Sequence, residues 1–479
     1  MPRSSVTALA AAVALVIACA TNPATGKKQL MLVSEAQEIA MGKEADQEAI
    51  GAYGLYPDPK VQAYVERLGK GLAAKSERPD LPWSFKVVDD PTVNAFALPG
   101  GYIYVTRGIM AHLRSEAELV AVLGHEIGHV TGRHSASQMS KQTLAMGGLV
   151  LGMAVKPELQ RFAGLAQQGL GLLFLKFGRD DENQADQLGL RYMTRQAYDP
   201  REMLEVFGVL DGVARAEGGG SSMPDWLSTH PSPGNRLARI RSEIATTGAS
   251  GNVVKRSEYV RRLDGMVFGE NPREGFFRGT AFYHPEMRFQ LSFPSGFRTQ
   301  NQRQAVVGVS EAQDAMIALS VGAASSPEDA ARRFFSQQGV QAGRAWRDTI
   351  HGLSAYTALF QATTEEGVLE GQVAFIQHDG RIYRILAYTA GGRLASYQRA
   401  FDAAVRSFSP LTDERYLSVQ PKRIDLVQLD RQMALPEFTR AYPSTVEAGT
   451  IGLINGVGAN QLLPRGELAK RIVGGRLPQ

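Results

Sequence analysis

The chain has 479 residues, of which 44% are hydrophobic and 21% charged, and its net charge is +4. This is globular composition: a disordered chain would be more polar and a multi-span membrane protein more apolar. So small a charge argues against a nucleic-acid surface, and the single cysteine excludes both an intramolecular disulfide and a cysteine-built zinc site.

Arg3 is the only charge in residues 1–18, and an apolar run from Val6 to Ala18 follows it. A positive start and a short apolar stretch read as a signal peptide over 1–18, long enough to engage a translocon and short for a membrane span. The run ends in Val16-Ile17-Ala18-Cys19, which resembles a bacterial lipobox. That resemblance implies cleavage before Cys19 and thioether lipidation of its sulfur. Ala20 rather than Asp follows, which by analogy with other bacterial lipoproteins points to the periplasmic face of the outer membrane. Residues 19–33 read as a tether.

Ser34-Glu35-Ala36-Gln37 is a capping box that opens a helix over about 35–50. Asp58-Pro59 opens a second, with Val61, Tyr64, Val65, Leu68 and Leu72 on one face. Trp83 to Val88 alternates like a strand, and two short apolar runs flank Pro99-Gly100-Gly101 as a hairpin. Ser115 to Glu118 caps a helix predicted to run on to about His134. Residues 144–155 and 162–177 are apolar and Gly-rich, each too short to span a bilayer, and read as a helical hairpin covering something or dipping into a surface. Helices are expected over about 179–196, 200–216 and after Pro233, and a linker over 246–269. Beyond it, alternating strands and two helices mark a separate α+β domain over 270–415, in which no chemistry is legible. Residues 422–475 form a last small unit.

His125-Glu126-Ile127-Gly128-His129 falls on the helix opened by Ser115. Histidines at i and i+4 differ by about 40° around the axis and ~6 Å along it, so both imidazoles reach one metal ion. Glu126 lies about 100° from His125, placed to act as a base on water beside the metal. A catalytic zinc needs a third protein ligand and an open position. Ser135 stands where a third histidine of a longer motif would be, and His134, about 180° from His125 on one continuous helix, reads as structural. A downstream acid is the other source: Glu182 can complete the set, and Asp186, one turn on, can accept the second ring N–H of a ligand histidine.

The stretches NAFALPGGYIYVTRG (94–108), HEIGHVTGRH (125–134), RDDENQAD (179–186) and THPSPGNR (229–236) together resemble the zinc metallopeptidase family of HtpX, BepA and the CAAX prenyl endopeptidases. The resemblance implies an α+β chain whose residues 34–245 form a mainly helical gluzincin-type domain with a small β-hairpin or sheet. It implies one Zn2+ on His125, His129 and Glu182, with Glu126 as general base and Asp186 behind the ligands. Asn94, Ala95, Phe96 and Ala97 would pair with the backbone of unfolded or extended polypeptide substrates, a sequence-tolerant mode. His230 would either occupy the fourth metal position and hold the enzyme off, or steady the oxyanion. Arg236 would serve the oxyanion or hold the loop. Two features depart from relatives: no helical repeats follow the domain, and the interrupted segment 144–177 replaces true membrane spans.

The tail, 422–475, looks like a degenerate LysM module, which implies peptidoglycan as a further partner. Two functions remain open at this level: an outer-membrane-anchored zinc endopeptidase that degrades misfolded or misassembled envelope proteins, and a largely latent chaperone-like or peptidoglycan-binding lipoprotein. A cell-wall hydrolase is a third.

Overall fold

The computed structural model describes residues 19–152, 176–216, 230, 236–364, 367–458 and 460–478. The expected leader (1–18) and the greater part of the expected apolar hairpin fall outside these residues. The chain divides into two compact units, one built from residues up to Gly269 with Arg423–Val473, the other from Glu270–Lys422 with the residues after Val473. Helices and several sheets make the class α+β. No described helix is long and apolar enough to cross a membrane.

The first unit opens with β1 (Cys19–Thr21) paired antiparallel to β2 (Lys28–Leu30). The segment read as a tether is thus a hairpin, and it is pinned: Leu32 N donates to Ser140 Oγ at 2.9 Å and Arg133 donates to Val33 O at 2.9 Å. α1 (Glu35–Tyr53) starts at the Ser34–Gln37 capping box. α2 (Pro59–Ala73) starts at Asp58, whose carboxylate accepts from the amides of Lys60 and Val61, and it buries the apolar stripe that its spacing marks out. β3 (Ser84–Val88), β4 (Ala95–Leu98) and β5 (Tyr102–Thr106) form a sheet ordered β3-β5-β4, with β3 parallel and β4 antiparallel to β5. β4 therefore forms an edge. Gly100 and Gly101, at φ of +78° and +104°, turn the chain between β4 and β5 through a region that side chains avoid.

α3 (Arg107–His112) leads into α4 (Glu116–Thr131), every residue of which is buried. Ser115 caps α4 by accepting from the Glu118 amide. α4 does not run on to His134 as expected. Gly132 ends it, Arg133 takes a left-handed φ of +55°, and α5 (His134–Gly152) starts afresh. Glycine is a poor helix former, and a single left-handed residue redirects the chain. The 180° offset expected for His134 therefore does not hold. α6 (Arg179–Thr194), α7 (Glu202–Ala216), α8 (Arg236–Thr247) and α9 (Arg256–Arg262) complete the helical part. α9 lies inside the stretch read as a linker, and its fully buried Tyr259 donates to Met110 O at 2.7 Å.

Residues 423–473 share this unit's core rather than standing apart. Ile424, Phe438, Ile451 and Ile472 join Leu119, Leu123 and Leu210 in one apolar cluster. The buried Lys470 ammonium donates to Ala111 O and Leu113 O at 2.9 and 2.7 Å, taking up carbonyls that the end of α3 leaves free. Strands Lys422–Gln428 and Leu468–Gly474 pair around helices Leu435–Ala441 and Ala448–Asn455.

The second unit carries a seven-stranded antiparallel sheet. Its spatial order is Val340–Ile350, Leu353–Thr364, Gly367–His378, Arg381–Ala390, Ala315–Gly322, Ala305–Ser310, Phe297–Asn301. Helix Pro327–Phe335 sets Phe334 against Phe360 and Phe375. Helix Leu394–Ser407 buries Phe401 and Val405 with Ile317 and Ile385 in a second cluster.

Candidate metal centre

α4 and α6 meet with almost no side chain between them. A Cβ added at Gly128 would lie 2.9 Å from Ala185 Cα, and one at Gly124 would lie 3.1 Å from Gly189 Cα. Small residues at four facing positions let the two backbones touch where side chains would otherwise hold them apart. Glu182, nearly one turn before Ala185, and Asp186, next to it, thereby reach the histidines of α4.

His125 Nε2 and His129 Nε2 stand 3.0 Å apart. Glu182 closes on both, with Oε2 3.6 Å from His125 Nε2 and Oε1 3.4 Å from His129 Nε2. His230 enters from the far side: its Nδ1 is 2.9 Å from Glu182 Oε1 and 3.4 Å from His125 Nε2. All four residues are buried, and their donor atoms lie within 4.8 Å of one another, a group able to hold a metal ion. Tetrahedral bonds of about 2.0–2.1 Å to nitrogen or oxygen would set donors roughly 3.3 Å apart, so this nitrogen and oxygen set fits zinc. Glu126 lies beside the group. Both its carboxylate oxygens are buried without a hydrogen-bond partner, and Oε1 is 3.7 Å from His230 Nε2. A buried carboxylate left so is costly unless something else, such as water or substrate, meets it.

The histidines are oriented from behind. Asp186 Oδ1 is 3.0 Å from His125 Nδ1, and Asp186 is itself gripped by Arg236, which donates to Oδ1 and Oδ2 at 2.7 Å each. Arg236 also approaches Glu182 Oε2 at 3.0 Å. His134 Nδ1 is 3.0 Å from His129 Nδ1, and Phe177 stacks on the His129 ring at 4.0 Å. Burial alone would raise the Glu182 and Asp186 carboxyls. His230 and His129 outweigh it at Glu182, which is held well below the usual carboxylate range, and Arg236 and His125 outweigh it at Asp186, which is lowered. Burial drives His129 far below the ordinary imidazole value, leaving a neutral ring with a lone pair to offer.

Of the residues singled out from sequence, the structure brings His125, Glu126, His129, Glu182, Asp186, His230 and Arg236 into one cluster. Cys19 begins β1. Ala95, Phe96 and Ala97 lie in the edge strand β4, and Asn94 immediately precedes it with Oδ1 buried and unpartnered. Sequence reasoning missed His134 and Phe177 as neighbours of His129. The signal for His134 was Gly132, which ends α4 and turns His134 back toward it.

Residues 59–244 match peptidase family M48. They are an M48 domain. The chain is 34% identical over 221 residues to the mitochondrial metalloendopeptidase OMA1 of Schizosaccharomyces pombe, covering 46% of this chain and 64% of that protein. It is 37% identical over 222 residues to the OMA1 metalloendopeptidase of Arabidopsis thaliana, covering 46% and 41%. It is 30% identical over 239 residues to the beta-barrel assembly-enhancing protease of Escherichia coli, covering 46% and 47%. The matched region thus spans from under half to under two thirds of these relatives. The M48 domain contains all seven clustered residues, whereas β1, β2, the whole second unit and the tail lie outside it.

Proposed function

We propose that this protein is a zinc endopeptidase of the bacterial envelope, anchored through Cys19 at the periplasmic face of the outer membrane. The observation that carries this reading is the convergence of His125, His129 and Glu182 beside the unpartnered Glu126 carboxylate, inside an M48 domain. His125, His129 and Glu182 would hold the ion, which supplies Lewis acidity and brings water near its ionisation at neutral pH. Glu126 takes the proton of the attacking water and passes it to the leaving amine. Asp186 keeps a proton on His125 Nδ1, so that Nε2 presents its lone pair. Arg236 holds Asp186 and Glu182, which favours a holding role over an oxyanion role. The main-chain groups of Asn94 to Ala97 at the sheet edge take extended polypeptide. Kinship with beta-barrel assembly-enhancing proteases supports unfolded or misassembled envelope proteins as clients.

A second reading refines the first. His230 is the fourth donor, in the position a catalytic metal keeps open. We read it as a plug, so that the enzyme rests in a closed state until the His230 imidazole leaves that position. This favours a latent protease over an oxyanion role for His230. The two helices of 422–475, set between paired strands, support the LysM-like reading and peptidoglycan as a partner, although a second short strand pair, Met433–Ala434 with Leu462–Leu463, is added to that order.

The test is casein cleavage by the detergent-extracted protein. Cleavage should vanish with chelator and in Glu126→Gln, and rise in His230→Ala. Full cleavage by Glu126→Gln would overturn the assignment, and a collapse in His230→Ala would restore the oxyanion role.

A further inference from the structure

The N-terminal hairpin is built into the cluster. Asn22, in the turn between β1 and β2, is 4% exposed. Its Oδ1 accepts from the amides of Ala24 at 2.9 Å and Thr25 at 3.2 Å in its own turn, and from Gln184 Nε2 at 3.5 Å. Its Nδ2 donates to Gln29 Oε1 across the hairpin at 3.0 Å and to Gly132 O at 3.1 Å, and approaches Gln184 Oε1 at 3.4 Å, while Gln29 Nε2 joins it on Gly132 O at 3.3 Å. Gly132 caps α4, where the last carbonyls have no helical donor, so two side-chain amides from the hairpin close the end of the helix that bears His129.

The proton positions follow from the metal side outward. If His129 Nε2 presents its lone pair to the ion, its proton sits on Nδ1 and points at His134 Nδ1, 3.0 Å away. His134 must then carry its own proton on Nε2, which donates to Gln184 Oε1 at 2.8 Å. Gln184 is paired amide to amide with Asn22, its Oε1 3.4 Å from Asn22 Nδ2 and its Nε2 3.5 Å from Asn22 Oδ1. Every donor in this chain meets an acceptor, and reversing any one member puts two protons or two lone pairs face to face.

We propose that Asn22 and Gln184 are positioning residues for His129, acting through His134, and that residues 19–30 are a working part of the metal centre rather than a leash. The inference rests on the metal reading above. A metal-bound histidine is tuned by the partner of its other ring nitrogen, and losing that partner typically weakens metal affinity by about tenfold to a hundredfold. Here the partner is another imidazole, whose tautomer is set two side chains further out.

The experiment uses the full chain and measures Zn2+ affinity by chelator competition, the absorption spectrum of the Co2+ form, and the melting temperature without metal. Asn22→Asp keeps the acceptor that builds the turn and removes the donors to Gln29, Gly132 and Gln184. Gln184→Leu removes the acceptor for His134, and Gln184→Glu restores it. Asn22→Asp and Gln184→Leu should each weaken Zn2+ binding by about tenfold or more and shift the Co2+ spectrum, and Gln184→Glu should bind within about threefold of the parent. The double variant should lose little beyond the worse single, because both act on one chain of bonds. Zn2+ affinity within about twofold of the parent in both single variants overturns the proposal, as does a lower metal-free melting temperature with an unchanged Co2+ spectrum. A parent chain that binds no metal defeats the metal reading itself, and this inference with it.

Discussion

A methyl group added at Gly128 would stop 2.9 Å from Ala185 Cα, which makes the contact between these two residues the hinge on which the metal centre depends. Gly128→Ala must push α4 and α6 apart, since backbone atoms, not a flexible side chain, stand in the way. Overpacking of this kind costs about 1–3 kcal/mol. Because Glu182 rides on α6, zinc affinity is expected to fall together with stability. Chelator competition and thermal melting on the same sample check this. A variant that melts lower but binds zinc as tightly as the parent would contradict the link.

Arg236→Leu removes the cation shared by Asp186 and Glu182, both buried. Deleting one partner of a buried ion pair costs about 3–5 kcal/mol, because the remaining charge is left without compensation. Arg236→Lys keeps the charge but not the two-pronged grip, and should recover only part of the loss. Denaturant midpoints measure both, and an Arg236→Leu loss under about 1 kcal/mol would mean that the carboxylates find other partners.

Away from the centre, His112 adds to the loss of stability in acid. Its Nδ1 is 2.8 Å from Gly108 O, and burial pushes its pKa down from 6.5 to about 4. The unfolded chain binds a proton there that the folded chain refuses, so stability rises with pH across that window and is lost as pH falls from 6.5 through about 4. His112→Phe, which can pack on Phe268 as the imidazole does, should make the loss across that window shallower and leave the share of His284, which burial also lowers to about 4. An equally steep loss in the variant would assign that loss to other groups.

The tail shares its core with the M48 domain, so removing residues 423–479 strips Phe438, Ile451 and Ile472 from that core and Lys470 from the carbonyls of Ala111 and Leu113. The truncated chain is expected to melt far below the parent or to aggregate. Wall binding is better tested by substitutions in the exposed turn at Gly458 and Gln461, with a sacculus pull-down as the readout. A truncated chain that melts like the parent would show the tail to be dispensable to the fold.

Much of the centre was legible because it is local. The i, i+4 histidines, the capping box at Ser34 and the apolar stripe of α2 are periodic signals that propensity and spacing carry. The break at Gly132 was harder to read, since a left-handed residue at Arg133 is a property of backbone conformation rather than of pattern. The docking of 19–33 was invisible for a related reason. Asn22 and Gln29 are ordinary loop residues until Gly132 and Gln184, more than 100 positions away, supply their partners. That docking shortens any leash: from Cys19 to Asn22 the chain spans only about 10 Å even when extended. In the second unit the strand Val340–Ile350 was missed because its side chains are mostly exposed, so alternation does not mark it.

The central claim is that Glu182 grips the same ion as His125 and His129 while His230 merely closes the site. Zinc content of purified Glu182→Ala and His230→Ala, measured side by side with the parent, tests it most directly. The account expects zinc in the parent, its loss in Glu182→Ala, and its retention in His230→Ala with casein cleavage raised. A Glu182→Ala chain that keeps its zinc would contradict it.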